Sequence, residues 1–161
     1  MPSAEDRERA SALVREALAL HHGGDLAEAA RLYRRSIVLC PTAEAHTYLG
    51  WVLGAHGRLD AAIAECEVAI RLDPELGNPY NDIGVYLMQK GDADGAVGWL
   101  ERAKRAPRYA ARHYPCLNLG QIFAAKGMLR RALREFEAAL TLAPGDRLAR
   151  YAIRTISRRL H

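Results

Sequence analysis

A layout that recurs every 33 to 36 residues constrains this chain more than any other feature. Glycines stand at Gly24, Gly57, Gly91 and Gly127, in steps of 33, 34 and 36 residues. Five residues after each comes a small residue, Ala29, Ala62, Ala96 or Ala132, and four further on a larger one, Tyr33, Cys66, Leu100 or Phe136. Pro41, Pro74 and Pro144 close three of the four units. Around Gly127 the apolar residues fall at helical intervals. Leu119, Gly120 and Phe123 mark one face before it, and Ala132, Leu133, Phe136, Ala139 and Leu140 mark one after it. Each unit reads as two short helices joined at a glycine turn. Units of this size bury their apolar stripes against neighbouring units rather than in one central core.

Two helices in a period near 34 residues resemble the tetratricopeptide repeat, whose pattern runs W-x2-L-G-x2-Y, then A-x3-F, then P. Leu49-Gly50, Ile83-Gly84 and Leu119-Gly120 stand at the Leu-Gly site, where the first copy has Glu16-Ala17. Leu13, His46, Tyr80 and Cys116 replace the leading tryptophan, and the third copy carries Pro107 one residue early, with Arg108 at the proline position. The resemblance covers about residues 10 to 144. It implies an all-α, right-handed α-solenoid that forms a single domain over 1-161. The repeats would occupy about 10-42, 43-76, 77-110 and 113-146, with an insert at about 106-112 and a capping helix at about 147-160.

Local signals place the helix ends. Ser3 with Asp6 forms a capping-box pattern, Asp25 with Glu28 starts the second helix, and Thr42 caps the helix after Cys40-Pro41. Gly50, Gly84 and Gly120 are expected to let paired helices approach closely, and leucine at any of them is expected to destabilise the fold. The insert KRAPRYAARHYP is expected to bend the stack or lengthen the following helix, with Arg105, Arg108, Arg112, Tyr109 and Tyr114 as a distinctive surface stretch. In the last helix Leu148, Tyr151, Ala152, Ile156 and Leu160 form the stripe that packs, with arginines opposite.

Composition narrows the function classes. Hydrophobic residues make up 50% and charged ones 26%, which suits a folded chain. No apolar run is long enough for a membrane span, and the polar start MPSAEDRERA lacks the apolar stretch of an export signal, so a cytoplasmic protein is expected. Three cysteines form no C-x-x-C pair; Cys66 and Cys116 fall on buried positions and are expected to act as small hydrophobes. Residues 1 to 100 carry nine Lys/Arg against fifteen Asp/Glu, a net of −6, and residues 101 to 161 carry fourteen against four, a net of +10. Opposite fields at the two ends follow, and with them the alternative of head-to-tail self-assembly.

In the family that the chain resembles, the first helices line a groove that holds a partner. The first-helix residues off the packed stripe are Val14, Arg15, Leu18, His21, Thr47, Tyr48, Trp51, Asn78, Asn81, Asp82, Val85, Met88, Gln89, Tyr114, Leu117, Asn118 and Gln121. Amide and carboxyl groups flanked by exposed Tyr48, Trp51 and Tyr114 suit an extended peptide or an inserted helix. Packing within the wall is the competing reading for Trp51 and Tyr48. Two or three anchors at about 1.5–3 kcal/mol each, against an association cost of at least ~4 kcal/mol, leave roughly micromolar affinity. The family's clamp for acidic chain ends needs Lys and Asn where Val14 and Leu18 stand, and a basic pair at Asn78 and Asp82, so chaperone-type acidic tails are not the expected partner.

No nucleotide, nucleophile-elbow or zincin motif occurs, and no catalytic residue, metal site or cofactor is expected. His21-His22 are adjacent and cannot share a helix face, and Cys116 near His113 is buried by the repeat phase. The basic stretch holding Arg130, Arg131, Arg134, Arg147, Arg150, Arg154, Arg158 and Arg159 raises nucleic acid as an alternative. Solvated arginines opposite an apolar stripe explain that stretch more simply. The expected function is a non-enzymatic adapter or assembly scaffold for a protein partner, with a secretion-type chaperone as a further alternative.

Overall fold

The computed structural model describes residues 1–161 as nine α-helices joined by short turns, with no strand. The helices are α1 (Ala4–His22), α2 (Leu26–Leu39), α3 (Ala43–Ala55), α4 (Leu59–Leu72), α5 (Asn78–Gln89), α6 (Ala93–Arg105), α7 (His113–Ala125), α8 (Leu129–Leu142) and α9 (Arg147–Leu160). Consecutive helices pack in pairs, α1 with α2 through α7 with α8. Each pair leans on the next, and α9 covers α8. This is an all-α solenoid of repeats.

The repeat markers explain the pairing. Gly24, Gly57, Gly91 and Gly127 hold φ between 73° and 89°, a left-handed backbone in which a side chain is strained. Ala29, Ala62, Ala96 and Ala132 lose all solvent contact. Across each pair a small first-helix residue receives the larger second-helix one. Leu100 lies over Gly84 and the Phe136 ring over Gly120, while Gly50 faces Ala62 and Cys66. Ser3 and Asp6 close the expected capping box, with each backbone N–H donating to the other's side chain at 3.0 Å. Asp25 accepts from the Glu28 N–H and Thr42 from that of Ala45. Apolar burial is divided between an N-terminal and a C-terminal cluster, with a smaller one of Tyr80, Ala103, Ala106 and Tyr109. Burial pushes the Cys66 and Cys116 thiols up, which keeps both neutral in the core.

The insert differs from its sequence reading. Tyr109 is buried rather than part of a surface stretch, and α7 is no longer than α3. The stretch after α6 pairs with the loop before α5. The Gly77 N–H donates to the Arg108 carbonyl at 2.9 Å, the Arg108 N–H to that of Glu75 at 3.0 Å, and Arg108 pairs with Asp73. Arg112 folds back to donate to the carbonyl of Ala106. The Tyr109 side chain fills the space above Gly77, where an added Cβ would stand 2.4 Å from the tyrosine Cβ. α5 begins at Asn78, directly after this pairing and at the expected start of the third repeat. Tyr109→Ala is expected to cost about 3 kcal/mol in chemical denaturation, the range for emptying a buried aromatic site. Arg108→Ala, which removes only a half-exposed ion pair, should cost under about 1 kcal/mol.

The stripe on α9 is narrower than its periodicity implies. Ala149 and Ile156 are buried, but Leu148, Tyr151 and Leu160 are exposed, Tyr151 by 69%. A terminal helix has a neighbour on one side only, so α8 covers part of the apolar arc and the rest faces outward.

Candidate partner-binding groove

A helix that spends one side on its hairpin partner leaves another for the next repeat, and residues one turn apart share that side. On α1, Val14, Arg15 and Leu18 meet Glu44 and Tyr48 of α3 around a cavity of about 370 Å³, which Arg7, Ser11 and Thr42 help to close. A smaller recess of about 50 Å³ follows between Glu44, Thr47 and Tyr48 of α3 and Leu76 and Asn78 at the start of α5. Tyr48 is a wall of both. The hollow therefore has an apolar floor with arginine, glutamate and amide groups at its edge.

Tyr48 and Trp51 are half-buried in an aromatic group. Their ring centroids are 4.8 Å apart, Tyr33 lies 5.7 Å from Tyr48, and His21 stands edge-on to Trp51 at 6.1 Å. Burial raises the Tyr33 phenol to about 12 and pushes that of Tyr48 upward, so both remain uncharged hydrogen-bonding groups. The Trp51 indole N–H donates to Asp82 Oδ2 at 2.6 Å, which ties α3 to α5. Trp51 is thus part wall and part groove rather than a free anchor.

Asp82 is the unusual group of this face. Loss of solvation raises its carboxyl from 3.8 to about 7, although the hydrogen bonds from Trp51 and the neighbouring Asn81 amide act in the opposite direction. Asn81 corrects the sequence reading: it is 7% exposed, and its carbonyl accepts from Asn118 Nδ2 at 3.1 Å, so the pair bridges α5 and α7. Thr47 and Leu117 are buried too, and the Thr47 hydroxyl donates to the Ala43 carbonyl at 2.7 Å. Arg15, Gln89, Tyr114 and Gln121 are exposed, and Asn78, Val85, Met88 and Asn118 are half-buried, Met88 against the C-terminal core. Tyr114 stacks on His113 with centroids 4.2 Å apart.

Sequence phase missed Ser11 and Glu44 as lining residues, although each sits four residues before one that it found, Arg15 and Tyr48. Extending each lining row by one helical turn would have recovered them. The N-terminal hairpin also carries a local basic patch that a net charge summed over residues 1 to 100 does not reveal. Arg9, Arg31, Arg34 and Arg35 line an open cavity with Val38 and Leu39, on α1 and α2 alone. The −6 balance of residues 1 to 100 is therefore not the charge of that surface.

The pattern of this fold agrees with comparison to known proteins. Models described as tetratricopeptide repeat match residues 3–44, 41–76 and 114–146. The chain belongs to the tetratricopeptide repeat family. The matches leave out 77–113, the repeat bordered by the paired loops around Gly77 and Arg108. Photosystem I assembly protein Ycf3 of Prochlorococcus marinus (strain MIT 9215) is 29% identical over 126 residues, 71% of this chain and 73% of that protein. The solved structure of Pseudomonas aeruginosa PilF superposes with a TM-score of 0.89 at 20% identity, covering 96% of this tetratricopeptide chain and 70% of the other. YrrB, described as a tetratricopeptide protein with an unusual peptide-binding site, superposes with a TM-score of 0.68 at 24% identity, over 91% and 75% of the two chains. No helix of the chain is long and apolar enough to cross a membrane.

Proposed function

We propose that this tetratricopeptide chain is a non-enzymatic adapter that holds a segment of a partner protein, extended or helical, against the face made by α1, α3, α5 and α7. The observation that carries this reading is the hollow itself. Its floor is Val14, Leu18 and Tyr48, its edge is Arg15, Glu44 and Asn78, and no element of the chain fills it. Apolar floors with a few polar groups at the rim are what peptide segments require for affinity and register. The assembly role in the name of the Ycf3 relative and the peptide site in the description of YrrB support the same class of activity. Opposed end charges give self-assembly little support, since arginines line the outer faces of both α1–α2 and α8.

The test uses exposed or half-exposed positions, so that loss of binding is not loss of fold. A variant combining Arg15→Glu, Asn78→Lys and Gln121→Glu is expected to recover its cellular partners at less than about a tenth of the wild-type yield in a quantitative pull-down, a change near 1.4 kcal/mol. Arg134→Glu, on α8, should recover them fully. Equal recovery by the triple variant would move the binding surface off this face.

A further inference from the structure

Asp82 stands apart from the other acidic groups that a side chain distant in sequence contacts, the capping carboxyls of Asp6, Asp25, Asp92 and Asp146 binding only local groups. Asp60, Asp73, Asp94, Glu28, Glu101 and Glu135 each pair with a lysine or arginine, and Glu65 with His46. Asp82 has no cationic partner in a chain with 23 Lys/Arg. Its one close side-chain contact from another helix is the neutral indole of Trp51. A poorly solvated carboxyl without a counter-ion is costly, and chains usually relieve that cost by pairing.

Its surroundings suit a cation. The Trp51 ring flanks it, and the neighbouring Asn81 forms a bonded amide pair with Asn118. A carboxylate beside an indole ring favours guanidinium and ammonium groups through a charge-assisted hydrogen bond together with cation–π attraction. The arrangement lies on α5, next along the groove face from the recess bounded by Tyr48 and Asn78. We infer that Asp82 receives an arginine or lysine side chain of the bound partner segment, with the Trp51 indole holding the carboxylate in position. This inference rests on the groove reading above and specifies the chemistry of the partner at its centre.

The experiment selects random dodecapeptides displayed on phage against the immobilised full-length chain, then measures synthetic peptides by calorimetry with the wild type and Asp82→Asn. Asparagine keeps an acceptor for Trp51, and a melting curve checks its fold. The expected result is a basic residue at one fixed position of the selected peptides. Replacing it by citrulline or norleucine should weaken binding about tenfold or more. Asp82→Asn should cause a similar loss and be indifferent to that replacement. Because the peptide-side substitution alone reports the contact, an unstable variant would not remove the test.

Peptides that bind equally well to both proteins and carry no basic residue would overturn the inference while leaving the groove in use. Selection of no peptide at all would overturn the groove reading and this inference with it. Concentration-dependent dimerisation lost in Asp82→Asn would give the site to a second copy of the chain, and would likewise overturn a partner peptide as its occupant.

Discussion

Gly84→Ala is expected to lower stability by about 2 kcal/mol and Gly120→Ala by a similar amount, while Gly50→Ala should be nearly silent. The three glycines stand at the same place in their repeats, so their local patterns predict one effect. Packing separates them. A Cβ at Gly84 would stand 2.5 Å from Leu100 Cδ2, and one at Gly120 2.8 Å from the Phe136 ring. Both partners are buried and have no room to retreat. At Gly50 the nearest atoms, the Ala62 carbonyl and Cys66 Sγ, are 3.4 Å away, an ordinary contact.

Overpacking costs about 1–3 kcal/mol, and alanine regains up to about 1 kcal/mol over glycine inside a helix. The upper end of the first range applies at Gly84 and Gly120, and at Gly50 the two effects cancel. At roughly 2–4 °C per kcal/mol for a chain of this size, the two sensitive variants should melt about 4–8 °C below wild type. Leucine should be worse at all three sites. Thermal melts followed by circular dichroism check this, and equal midpoints for the three alanine variants would refute the contact distances.

The second large effect concerns Asp82 and pH. Its folded carboxyl titrates near 7 against 3.8 for the ordinary group, raised mainly by desolvation. A raised value means that the folded state holds the proton more tightly than the unfolded one. The stability associated with the protonated form is complete below pH 3.8 and is lost as pH rises through about 7. The full difference is about 4 kcal/mol, of which only about a third is lost by pH 5.

Asp82→Asn removes the titration while keeping the hydrogen bond from Trp51. Urea unfolding of both proteins at pH 4, 5 and 8 should show the variant gaining on wild type by about 4 kcal/mol across the series. A gap that stays constant would mean that Asp82 is solvated in the folded state. Adding a cationic peptide that occupies the site should recover part of the wild-type loss at pH 8, since a ligand that binds the ionised native state stabilises it.

These two predictions show where sequence reading stops. The turns at Gly24, Gly57, Gly91 and Gly127, the caps at Ser3, Asp25 and Thr42, and the buried alanines five residues after each turn were all legible, and all proved correct. Each follows from backbone conformation or helical phase within a few residues. The groove was legible as a face but not as a set of free groups. Tyr48 was identified and does line the hollow, whereas Asn81 was identified and is buried in a bridge to Asn118. Gly54 and Gly77 passed unmarked because no repeat position distinguishes them. The Tyr86 ring packs on the first and the Tyr109 side chain on the second, contacts of 32 residues in each case.

By itself, then, the sequence determined that the chain is a run of helical hairpins, because glycine sterics, capping hydrogen bonds and a 3.6-residue period act locally. Only the tertiary structure decided which side chains of the groove face are already engaged. Trp51 meets Asp82 across 31 residues and Asn81 meets Asn118 across 37. Such contacts depend on how one repeat is rotated against the next and on rotamer choice, and a helical period that assigns a residue to a face leaves both unspecified.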